Sequence, residues 1–177
     1  MSILIVFLAL VPSFAWLFFY LQEDLHPEPK KLLALTFVVG AAFSVPALYL
    51  QIASNCVLLL DCEAARQDFA AFSVPFIFLF AFIEEAAKFA AAYFTVRRSP
   101  AFNEPVDAMI YMVVASLGFA AAENLGIFNF GRAPGVPFAD AFEITTLRFI
   151  GATLLHALAS AIVGYYWAVS IRDFGMR

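Results

Sequence analysis

Phe76-Ile77-Phe78-Leu79-Phe80-Ala81-Phe82-Ile83-Glu84-Glu85-Ala86-Ala87-Lys88-Phe89-Ala90-Ala91-Ala92-Tyr93-Phe94-Thr95-Val96 is an apolar run broken in its middle by two carboxylates and an ammonium, and Arg97-Arg98 closes it. A helix of about 20 apolar residues crosses the roughly 30 Å of hydrocarbon in a bilayer. A charge at the centre of such a helix costs about 2.5–3.5 kcal/mol even on the mildest scales. Three of them in one run therefore predict partners on neighbouring helices. Backbone polar groups in hydrocarbon must also be satisfied internally, which leaves helices or a closed barrel. The run has no period-two alternation, so it is read as a helix.

The rest of the chain follows the same pattern. Hydrophobic residues make up 64% and charged residues 14% of 177, and the mean hydropathy is +0.89; soluble domains average about 45–50% and about 25%. Long apolar blocks alternate with short charged stretches, predicting an all-α polytopic bundle of about five transmembrane helices over 3–21, 32–54, 72–96, 106–128 and 146–171. Pro46 is expected to kink the second, and 57–60 to extend it. The connection 129–145 holds Gly131, Pro134, Gly135 and Pro137 and reads as a loop. The first run lacks a basic start and is longer than a signal-peptide core, so it is read as a retained span. There is no repeat and no soluble segment, hence one domain over 1–177. The net charge of −4 comes without any basic block fit to track a nucleic acid.

Basic residues near span ends set orientation. Lys30 and Lys31, Arg97 and Arg98, and Arg172 and Arg177 fall on alternate connections, whereas the others hold only Arg66 and Arg132. The N-terminus is expected outside and the C-terminus in the cytoplasm of a multi-pass protein. Cys56 and Cys62 then share an external connection, as a disulfide or as two thiols.

Ionisable groups gather in the last three spans: Glu84, Glu85 and Lys88; Glu123 and Asn124; His156 and Ser160. Glu84 and Lys88 are spaced i, i+4, while Glu85 is turned about 100° from Glu84. Alanines surround every one of these positions and let helices approach closely, so the polar groups can meet. Carboxylates taken out of water hold protons more tightly, and of a close pair one can serve as base while the other stays protonated. A facing histidine orients water or donates to a developing oxyanion. The chemistry indicated is hydrolysis by activated water, with Glu84, Glu85, Glu123 and His156 as catalytic candidates and Lys88, Asn124 and Ser160 in support. Glu85, with Lys88 holding Glu84, is one way to divide the labour. No cofactor is expected, with zinc on Glu85, Glu123 and His156 as the alternative; a His-Glu-x-x-His signature is absent. Two readings from other classes compete. A proton- or cation-coupled transporter uses the same residue types but favours internal repeats, which are lacking. A non-catalytic scaffold would keep the fold and tolerate loss of the glutamates.

Several polar residues have plainer readings. Asp107 complements a helix N-terminus, His26 belongs to a linker, and Arg148 snorkels to headgroups or pairs with an acidic group such as Glu143.

Glu84-Glu85-Ala86-Ala87-Lys88 resembles the Glu-Glu-x-x-Lys motif of the PrsW family of glutamic-type intramembrane proteases. Asp107 to Tyr111 with Gly118-Phe119-Ala120 and Glu123-Asn124 resembles that family's second block, and Arg148 with His156 its third. The resemblance covers about 76–165, in the family's order, and extends more weakly to the Leu25-His26-Pro27-Glu28-Pro29 linker. It implies kinship with the CAAX prenyl endopeptidases and bacteriocin-processing enzymes. It also implies a bacterial cytoplasmic-membrane enzyme making the site-1 cut in a single-span, anti-sigma-factor-like substrate on the external side. Lipids, and a second copy of the chain, are the other partners in view.

Overall fold

The computed structural model describes residues 3–22, 27–59, 74–129 and 137–174, and all its regular structure there is helical. The elements are α1 (Ile3–Gln22), α2 (Lys30–Leu59), α3 (Val74–Val96), α4 (Asp107–Asn129), α5 (Phe138–Arg148), a π-turn (Phe149–Thr153) and α6 (Leu154–Phe174). Phe7, Phe18, Val38, Phe78, Phe82 and Tyr166 all point outward and are exposed. A surface of this kind is solvated by lipid rather than water. Four helices are long and apolar enough to cross a membrane: α1, α2, α4 and the 37-residue helical run from Phe138 to Phe174, which includes the π-turn. The protein is an integral membrane protein. The 23 residues of α3 match a span in length, but Glu84, Glu85 and Lys88 lie at its centre.

Helix α4 is the post around which the others stand. Two-thirds of its apolar window, 67%, is buried, against 17–22% for the other three. It packs against α1, α2, α3 and α6. Small residues make the closest crossing. A Cβ built on Gly118 would lie 2.0 Å from the carbonyl oxygen of Phe37, and one on Gly40 would lie 2.1 Å from that of Ala115. Backbones of α2 and α4 touch here because neither glycine holds them apart.

At one end of the bundle, the carboxylate of Asp107 accepts hydrogen bonds from the backbone N–H groups of Asn103 (2.9 Å) and Glu104 (2.8 Å). It closes the turn that leads into α4, a structural role in keeping with its place at a helix start. The buried Tyr111 hydroxyl donates to Glu28, tying the segment before α2 to the same post.

Two expectations need correction. The connection before the last span is helical from Phe138 onward, so the expected loop over 129–145 ends earlier and the last helix starts well before residue 146. Pro137 stands just ahead of the first turn and Asp140 lies within it, where a missing N–H and a carboxylate both suit a helix start. The glycines and prolines therefore mark the stretch before a helix rather than a loop running up to residue 145. The second span reaches Leu59, in line with the expected extension. His26 and Cys62 lie outside the described residues, so the choice between a disulfide with Cys56 and two thiols does too.

Candidate active site within the bundle

Lys88 is fully buried, and the site is organised around its ammonium. Its Nζ donates to Glu85 Oε1 at 2.7 Å and lies 2.6 Å from His156 Nδ1. It also sits 4.9 Å from the centre of the Phe119 ring. An ammonium has donors only, so Nδ1 accepts and the ring proton resides on Nε2. Nε2 in turn donates to Glu123 Oε2 at 2.9 Å. Ser160, one turn beyond His156, donates to Glu85 Oε2 at 2.7 Å. Both oxygens of Glu85 are thus engaged.

Glu84 is placed differently. Its Oε1 accepts from Gln51 Nε2 at 3.0 Å. Its Oε2 lies 3.7 Å from both Lys88 Nζ and His156 Nδ1, and accepts no hydrogen bond among the described residues. One atom each from Glu84, Glu123 and His156 lie within 4.8 Å of one another. The structure therefore sets Glu84, not Glu85, beside Glu123 and His156. The metal-ligand set expected to include Glu85 is regrouped for the same reason: the two side chains leave α3 about 100° apart, and Lys88 with Ser160 claims Glu85.

Arg148 turns inward and pairs with an acidic group, as one of its two readings has it, though the partner is Glu123 rather than Glu143. Its Nε donates to Asn124 Oδ1, and its Nη2 lies 3.5 Å from Glu123 Oε2. Asn124 Nδ2 reaches Thr153 Oγ1 at 3.4 Å. Sequence reasoning missed Gln51, Thr153 and this use of Arg148, and it assigned almost no polar role to the second span. The signal for Gln51 was present, since Gln51 and Asn55 are two amides one turn apart in a mostly apolar helix. The side chains of the acidic groups and His156 are neither sealed nor open, at 13–30% exposure.

Three acidic side chains, Glu84, Glu85 and Glu123, face one lysine and one arginine. Two carboxylate oxygens and an imidazole nitrogen, with room for water, are the donor types of a three-ligand catalytic zinc site, and Glu84, Glu123 and His156 fit that ion by type and spacing. Holding it through Nε2 requires Lys88 to release Nδ1, because that nitrogen would then carry the ring proton.

Fold and site together define a polytopic membrane protein with a carboxylate–imidazole centre enclosed by its spans. Residues 28–176 match the family described as PrsW family intramembrane metalloprotease. The chain belongs to the PrsW family. It is 27% identical over 150 residues to Protease PrsW of Geobacillus kaustophilus, covering 85% of this chain and 59% of that protein. It is 30% identical over 159 residues to Protease PrsW of Halalkalibacterium halodurans (89% and 66%), and 28% identical over 163 residues to that of Bacillus subtilis (92% and 66%). The aligned region spans about three-fifths to two-thirds of these relatives. No solved structure matches the chain.

Proposed function

We propose that this protein is an intramembrane endopeptidase in which Glu84, Glu123 and His156 activate the hydrolytic water. The observation that carries this reading is the convergence of their three ligand atoms within 4.8 Å. Glu84 is the base: its Oε2 has a lone pair free of hydrogen bonds among the described residues, while Glu85 serves to hold Lys88. Water gives a proton to Glu84 as its oxygen bonds to the scissile carbonyl carbon, and the carbonyl π electrons move onto oxygen. The C=O bond re-forms as the C–N bond breaks, and the nitrogen takes the proton from Glu84 and leaves as an amine. His156, fixed by Lys88 and Glu123, orients the water. The Gln51 amide keeps Glu84 turned toward them.

The substrate we propose is a single-span membrane protein of the anti-sigma-factor kind. It is cut near its external boundary by an enzyme in the bacterial cytoplasmic membrane with its N-terminus outside. The support is the alternation of basic connections and the family membership. New protein N-termini in membranes of expressing cells should appear near external span boundaries with wild type. They should be absent with Glu84→Gln or His156→Ala at matched protein levels. Equal profiles for all three would sink the proposal and turn attention to proton flux in liposomes.

A second reading is favoured by the donor set itself. Zinc on Glu84, Glu123 and His156 would supply Lewis acidity to the water and the carbonyl. On the first reading His156, with Nδ1 beside Lys88 and Nε2 beside Glu123, acts without an ion. Protein stripped with a chelator and verified zinc-free is therefore expected to retain its cleavage rate. A loss reversed by stoichiometric zinc would assign the ion instead.

A further inference from the structure

The π-turn at Phe149–Thr153 interrupts an otherwise continuous 37-residue helix. Such turns add one residue to a helical turn and occur frequently at functional sites. Here the addition has a definite geometric result. Arg148 and His156 are eight residues apart, which in a regular helix leaves them about 80° out of alignment. With one residue absorbed by the wider turn, the pair behaves as i, i+7, about 20° from a common face. Both side chains accordingly reach the same atom, Glu123 Oε2, at 3.5 Å and 2.9 Å.

The surrounding contacts fix this arrangement. The Trp16 indole N–H of α1 donates to the Phe149 carbonyl at 3.0 Å, and its ring packs 5.4 Å from the Phe149 ring. Thr153, the last residue of the turn, meets Asn124, and Asn124 accepts from Arg148 Nε. The guanidinium is held by its inner nitrogen. Beyond the 3.5 Å approach to Glu123, its terminal nitrogens make no hydrogen bond among the described residues. An arginine inside a membrane protein is costly and by default marks function, and neutralising Glu123 alone does not need a π-turn, an indole and an amide to aim it.

We propose that Arg148 is a further catalytic residue: its terminal N–H groups receive the carbonyl oxygen of the scissile bond and stabilise the negative charge that develops there. Trp16, Asn124 and Thr153 are positioning residues that act through it. The role rests on the endopeptidase reading. In the step already written, the carbonyl π electrons that move onto oxygen are met by Arg148. They return when the C–N bond breaks, and no proton leaves the guanidinium. Donors fixed in advance at that position are worth about 10²–10³ in kcat.

The test uses full-length protein in proteoliposomes with a quenched-fluorescence single-span reporter built on a site found in the membrane comparison. Arg148→Gln should lose 10²–10³-fold in kcat with KM within about twofold and an unchanged thermal midpoint. Arg148→Ala should regain activity with added guanidinium ion, and Arg148→Lys should fall between the two. A kcat for Arg148→Gln within threefold of wild type overturns the role, as does a loss that follows a falling thermal midpoint or a failure of guanidinium to restore Arg148→Ala. A wild type that cleaves nothing overturns the endopeptidase reading instead, before any variant is compared.

Discussion

Glu84→Gln should reduce cleavage by about 10²–10⁴-fold and leave the protein's unfolding midpoint in detergent where it was, whereas Glu85→Gln should lower that midpoint by the equivalent of about 3 kcal/mol or more. The contrast follows from where each oxygen goes. Glu84 touches only the Gln51 amide at hydrogen-bond distance and stands 3.7 Å from Lys88 Nζ, so its amide isostere keeps the packing and leaves Lys88 its close partner Glu85 while removing the proton acceptor. Glu85 is bonded to the fully buried Lys88 at 2.7 Å and to Ser160 at 2.7 Å. Taking away its charge leaves the ammonium only Glu84, at 3.7 Å, and breaking the close pair of a buried charge is strongly destabilising. Activity and thermal midpoints measured on both variants decide the matter. If Glu85→Gln kept its stability and lost its activity while Glu84→Gln kept both, the base would be Glu85.

The second large effect lies at the helix crossing. Gly118→Ala is expected to destabilise the bundle by more than about 3 kcal/mol, since a methyl group 2.0 Å from the Phe37 carbonyl oxygen meets backbone, which cannot rotate away. Helices α2 and α4 would have to separate, and Gln51 would move away from Glu84. Gly126 is the internal control, for nothing lies within 4 Å of a Cβ built there. Gly126→Ala should be neutral or stabilising by up to about 1 kcal/mol from helix propensity alone. Unfolding of both variants in mixed micelles would show it, and equal midpoints for the two would refute the close crossing.

Much of the site was legible in the sequence because charge in an apolar run is expensive. Glu84, Glu85, Lys88, Glu123 and His156 stood out on that ground alone, and the alanines around them indicated that they could meet. Which of two adjacent glutamates faces the histidine was not legible. It depends on the rotation of α3 about its own axis, which is set by packing against α2, α4 and α6 and leaves no local trace. Gln51 was overlooked because an amide costs far less in hydrocarbon than a charge and so does not stand out. The partner of Arg148 was missed for a different reason. Its alignment with His156 depends on one extra residue in a helical turn, and the helix that carries it begins just after a segment rich in glycine and proline. The helical class and most span positions followed from hydropathy. The start at Phe138 did not, because Pro134, Gly135 and Pro137 give the same signal before a helix as within a loop.

The 37-residue helix that carries both Arg148 and His156 is about 55 Å long at 1.5 Å per residue, nearly twice the roughly 30 Å of hydrocarbon it traverses. It must lean or protrude, and how far it leans depends on the lipid. Glu84 and Glu123 ride on shorter helices of 23 residues each, which fit that thickness closely. Acyl-chain length therefore acts on the two halves of the site unequally, and the membrane becomes a setting on the site as much as its solvent. Turnover in bilayers of graded thickness should pass through an optimum, falling on either side as the imidazole and guanidinium are tilted away from their carboxylates.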